Sequence, residues 1–142
     1  GGALVQQVAS GGTVTVKEVY GLNPKLANKH GGVVMVGGHV YGDSDDAGIP
    51  YCADMMTGEI KWTSRGSGKG CAVVIAANDR LYIRYQNGVL ALVEANPAGY
   101  KEVGSFNIPG SGDRPSWSHP VILDGKLYVR EQDKILCYDI RS

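Results

Sequence analysis

Apolar positions in this chain either alternate with polar ones or run in short stretches, and each stretch stops at Gly, Asn, Asp or Pro. A period of two, and short apolar runs bounded by turn residues, both spell β-strands. The one segment of helix-like composition, 23–29, is too short for more than a turn of helix or a loop. The strand pattern occurs three times, starting at Val33, Val73 and Pro120. Each copy holds an apolar strand, a tight turn, a strand with a Tyr, a second turn and a third strand. Tyr41, Tyr82 and Tyr128 mark the same place in the three copies, spaced 41 and 46 residues apart, close to the period of four-stranded propeller blades.

With strands labelled a to d, the first unit reads a 33–36, b 39–43, c 51–54 and d 59–63. The second reads a 72–76, b 80–85, c 89–94 and d 101–106. The third reads a 121–123, b 126–130 and c 134–138. Gly37-Gly38, Asn78-Asp79 and Asn87-Gly88 are hairpin turns, since these residues tolerate positive φ, and Thr57-Gly58 turns c into d. Upstream, 3–8 and 13–19 alternate and are joined by Gly11-Gly12, so they read as strands c and d of a preceding blade.

The expected organisation is one all-β domain over 1–142. Residues 1–20 are outer strands of a preceding blade, 31–65 and 71–107 are blades, and 118–142 is a partial blade. Propellers typically carry four to eight blades, so the expected partner is another copy of the chain or the remaining blades of a longer one. Strand 13–19 has the type and length to pair beside the third unit.

Composition narrows the partners further. The chain has 142 residues, with 14 Lys and Arg against 14 Asp and Glu, so its formal net charge is zero. A balanced charge gives no electrostatic reason to expect nucleic acid. No apolar run reaches the roughly 20 residues of a membrane helix, so membrane insertion is not expected. The 21 glycines and single Phe suit short strands joined by tight turns. Cys52, Cys71 and Cys137 lack metal-ligand spacing. Cys52 and Cys137 occupy the same position of two units, which argues against a bridge between them, and all three read as small buried hydrophobes.

The segment Ala53-Asp-Met-Met-Thr-Gly-Glu-Ile-Lys-Trp62 resembles the A-x-D-x-x-T-G-x-x-x-W signature of PQQ-like, or quinoprotein-type, propeller repeats. Asp54, Thr57, Gly58 and Trp62 match it. The resemblance implies that Asp and Thr-Gly shape the c–d hairpin and that Trp62 packs on the neighbouring blade. The second unit matches in part, with Val103 in place of the Trp, and the third stops after Asp139. Enzymes of this family hold pyrroloquinoline quinone beside calcium, and the resemblance implies an extracytoplasmic, periplasmic or secreted location. Their adjacent cysteines and acidic metal ligands have no counterpart at recognisable spacing here, so no catalytic residue carries over and no cofactor is expected. The leading expectation is a non-catalytic binding or scaffold module. The alternatives are a fragment or subunit of a PQQ-dependent dehydrogenase and an envelope protein-assembly scaffold.

Position, rather than motif, supplies the candidate site. The connections before each strand a deliver His30, Lys69 and His119 to similar places around one axis, with Trp117 nearby. Two imidazoles, an amine and an indole converging on a funnel suit an anion, a metal or a sugar. Two histidines alone make a poor metal site. Asp43, Asp45 and Asp46 loosely resemble a calcium loop, but Ala47 stands where an oxygen ligand is needed, and a b–c turn explains them more simply. Neither a nucleotide-binding glycine fingerprint nor a Gly-x-Ser-x-Gly elbow is present.

Overall fold

The computed structural model describes residues 1–44, 47–112 and 114–141. The fold is all-β, built of four small antiparallel sheets. A hairpin sheet pairs β1 (Gly2–Ser10) with β2 (Thr13–Asn23). Sheet I is β3 (Val34–Val36), β4 (His39–Asp43), β5 (Pro50–Asp54) and β6 (Ile60–Thr63). Sheet II is β7 (Ala72–Ala77), β8 (Arg80–Tyr85), β9 (Val89–Glu94) and β10 (Glu102–Asn107). Sheet III is β11 (Val121–Leu123), β12 (Lys126–Glu131) and β13 (Lys134–Asp139). Among the described residues no helix is long and apolar enough to cross a membrane.

Within each sheet consecutive strands are neighbours, because the connections are too short for a crossover, which needs a dozen or so residues. The turn between the first two strands of sheets I, II and III uses Gly37-Gly38, Asn78-Asp79 and Asp124-Gly125. All six residues have positive φ, between 48° and 77°. That backbone twist suits a hairpin and accounts for the Gly, Asn and Asp at these places. Gly11-Gly12 repeats it in the hairpin sheet, with φ of 57° and 80°. The hairpin strands run beyond the expected 3–8 and 13–19, because the ladder continues to Ser10–Thr13 at the turn and Gly2–Asn23 at the base.

The sheets pack face to face in chain order. Tyr41 and Cys52 of sheet I meet Val74, Leu81, Ile83 and Val93 of sheet II, all buried. Leu90 of sheet II meets Leu127 and Val129 of sheet III, with Ile108 between the sheets. Leu26, Tyr51, Ala53 and Tyr20 join the hairpin base to sheet I. Each fully buried Leu, Ile or Val contributes about 1.5–3 kcal/mol. In sheets I and II, alternating side chains divide between the two faces, one set packed against the sheet before and the other against the sheet after.

Asp54 shapes the turn between β5 and β6. Its Oδ1 accepts hydrogen bonds from the Met56 and Thr57 amides, both at 2.9 Å, and from the Thr57 hydroxyl at 3.0 Å. These bonds hold its carboxyl below the usual Asp range. Trp62 reaches over to sheet II. Its indole N–H donates to the Asn96 carbonyl at 2.8 Å, and its ring meets Tyr100 edge-on at 5.6 Å.

One expectation about the cysteines does not hold. Cys52 and Cys71 are buried, but Cys137 is exposed. It pairs with Tyr128 across the ladder, on the face of sheet III turned away from sheet II.

Candidate functional site

The strand-to-strand connections between sheets place polar groups at one end of the stack. Gly31 bridges to Val73 of β7 in parallel, so the residue before it, His30, sits at the rim of the junction. The approach is close, since a Cβ on Gly31 would lie 2.2 Å from the Ala72 carbonyl oxygen. Only glycine fits there without moving backbone.

The His30 ring stacks on Trp117, with centroids 4.5 Å apart and planes 27° apart. The Nε2 of His119 lies 3.4 Å from the His30 carbonyl oxygen. Two connections 89 residues apart in sequence thus meet at one point. His30, Trp117 and His119 lie together. Lys69 does not join the stack. Its side chain is exposed, its amide donates to Asn87 Oδ1 at 3.1 Å, and it lines an adjoining hollow of about 340 Å³ with Arg114 and Pro115.

Trp117 also lines a larger hollow of about 690 Å³, shared with Arg114, Arg130, Gln132 and Asp133. The indole is 46% exposed. The two hollows have Arg114 and Pro115 as a common wall, so Lys69, Arg114 and Arg130 surround one mouth. Three cations against the carboxylate of Asp133 make it an anion-attracting surface, and the shared wall keeps the charges close.

Gln86 holds this arrangement from below. Its Oε1 accepts the Trp117 indole N–H at 3.1 Å and the Cys71 thiol at 3.1 Å. Its backbone carbonyl accepts the Ser116 amide at 3.1 Å. Deeper in, Arg84 pairs with Glu131 at 2.9 Å and donates to the carbonyl and hydroxyl of Ser118. The Ser116 hydroxyl donates to both carboxylate oxygens of Glu131, at 2.8 and 2.6 Å. Burial pushes the Glu131 carboxyl up, but bonds from Ser116, Gln132 and Arg84 outweigh it and hold the group below the usual Glu range.

The chain matches no protein-family model and no curated protein. What the mouth can do follows from its own atoms. Among the described residues, no three His, Cys, Asp or Glu side chains stand where they could hold a metal ion. Asp43 is buried at the junction of sheets I and II, and its Oδ2 accepts the Ala72 amide at 2.8 Å. Asp45 and Asp46 lie outside the described residues. The described side chains at the mouth, Lys69, Arg114 and Arg130 beside the Trp117 ring, suit an anion resting against a flat apolar surface.

Sequence reasoning missed Arg84, Gln86, Arg114, Ser116, Arg130 and Glu131. A signal existed for Arg84, which stands two positions beyond Tyr82 just as Asp43 stands two beyond Tyr41. Charges at the same register of two repeats mark a shared structural task. Arg114 and Ser116 lie in a connection without strand pattern, and nothing in their sequence separates them from ordinary loop residues.

Proposed function

We propose that this chain is a non-catalytic binding module of the β-propeller type, whose site is the mouth ringed by Lys69, Arg114 and Arg130, with Trp117 on its wall and His30 stacked on that ring. The observation that carries it is the His30–Trp117 stack beside the hollow shared with Arg114 and Arg130. One indole face rests on an imidazole, and the exposed part of the ring borders a cationic cavity. Such a surface suits an acidic saccharide. The ring takes an apolar sugar face, while the guanidinium forks take a carboxylate in bidentate fashion. The blade reading is supported by the recurring turn type and by the face-to-face packing of sheets in chain order.

The test is a titration with trigalacturonate, followed by tryptophan fluorescence and calorimetry, with neutral maltotriose and inorganic phosphate as comparisons. Trigalacturonate is expected to bind with a salt-sensitive affinity and to shift the Trp117 signal. Trp117→Ala and Arg130→Ala are each expected to weaken it by about tenfold or more. Absence of binding at millimolar ligand, or equal binding of phosphate, overturns the reading.

A further inference from the structure

Sheets I and III carry the same residues on the same face. In sheet I, Val34, Tyr41 and Cys52 lie opposite one another across the ladder, as do Val36, His39 and Asp54. In sheet III the matching rows are Val121, Tyr128 and Cys137, then Leu123, Lys126 and Asp139. The likeness extends to the carboxylates, since Asp54 and Asp139 each accept the amide two residues on. In sheet I this face is covered by sheet II, leaving Tyr41 at 1% and Cys52 at 0% exposure. In sheet III, Val121 is 55% and Leu123 58% exposed, and Ile135 at the end of the same face is 75% exposed.

A face whose twin is buried by a following sheet is shaped for a sheet. Among the described residues, the hairpin presents a second outward face with apolar side chains. Across the hairpin, Val5 pairs with Glu18, Gln7 with Val16 and Ala9 with Val14, which puts these six side chains on one side. Leu4 and Tyr20, on the opposite side, line the hollow against sheet I. The outward side is open, with Val14 at 62% and Val16 at 65% exposure. Its one charge, Glu18, complements the open face of sheet III, where Lys126 and Arg130 stand and the carboxylate of Asp139 is already paired with Arg141.

We infer that the Tyr128–Cys137 face of sheet III docks the outward face of the β1–β2 hairpin of a second copy of this chain, head to tail. The contact is heterologous: two copies facing each other would form it twice, and any other geometry extends it through further copies. It repeats a junction the chain already makes twice internally, and needs no new kind of packing.

Sedimentation across a concentration series tests this. The chain is expected to associate. Leu123→Glu on sheet III and Val16→Glu on the hairpin are each expected to weaken association by about tenfold or more, because each puts a charged side chain into an apolar contact. Val103→Glu, on an exposed position of β10, is expected to leave it unchanged. All three positions are exposed in the single chain, and circular dichroism will show whether each variant folds. Mixing the two interface variants is decisive. A head-to-tail pair regains one intact junction, so the mixture associates where neither variant does alone. A pair built on sheet III against sheet III, or hairpin against hairpin, regains nothing. Reaction of Cys137 with a thiol reagent should slow as the protein concentration rises. A monomer at all concentrations, association indifferent to Leu123→Glu and Val16→Glu, or failure of the mixture to associate overturns the inference.

Discussion

The guanidinium of Arg84 and the carboxylate of Glu131 meet at 2.9 Å between sheets II and III, with side chains 1% and 0% exposed. Neither charge has water to fall back on, so the two stand or fall together. Glu131→Gln or Arg84→Met alone is expected to cost about 3–5 kcal/mol by leaving a buried charge without its partner. The double variant should cost clearly less than the sum. Urea unfolding of the four species in a double-mutant cycle measures this, and additive costs would dissolve the coupling.

The same carboxylate sets an acid limit. Its pKa in the folded chain lies below the usual Glu value of about 4.3. Its contribution is therefore complete above that ordinary value and is lost as pH falls from there through the folded value. The urea midpoint should drop across this window. In Glu131→Gln the drop should be shallower, and an unchanged profile would show that other carboxylates govern it.

Gly31→Ala tests the rim. A Cβ there would stand 2.2 Å from the Ala72 carbonyl oxygen, so the backbone carrying His30 must shift. A cost of about 1–3 kcal/mol is expected, as for other overpacked sites. The His30 carbonyl should also leave the reach of His119. Retained stability with unchanged NMR chemical shifts of the His30 and His119 rings would contradict the packing described at β7.

Trp62→Ala is expected to cost about 3 kcal/mol, the low end for a buried aromatic, since the ring is half-buried. Trp62→Phe should recover most of the loss while still lacking the N–H bond to Asn96. Thermal melts of the two variants compare the packing share with the hydrogen-bond share. Equal melting of both would assign the whole effect to that single bond.

Most strands could be read from the residues because their code is local. Periods of two, and Gly, Asn or Asp at turns that demand positive φ, placed β4, β8, β9 and β11 at their observed ends. The Asp54 turn and the packing of Trp62 were expected from the resemblance of 53–62 to a repeat signature, not from periodicity. The meeting of His30, Trp117 and His119 was legible only through the repeat, which says that equivalent connections share one end of the stack. The rest depended on contacts that no local pattern records. Gln86 matters because two donors from different connections converge on one oxygen, and Arg84 because its partner is 47 residues away. Cys137 matched Cys52 in register, yet its burial depends on what covers the face, and covering is a property of neighbours rather than of sequence position.

Asp43 and Arg84 hold the same register on β4 and β8, but one captures an amide of the following segment and the other a carbonyl. The two junctions are therefore keyed with opposite polarity. Were sheet I to slide onto the segment meant for sheet II, its carboxylate would face the Ser118 carbonyl oxygen and repel it. Arg84 set against the Ala72 amide would likewise put donor to donor. Apolar faces alone are nearly interchangeable among repeats, and repeat chains misassemble by that route. A single polar residue per junction labels the order in which the sheets stack, and so selects one assembly from several that bury the same apolar surface.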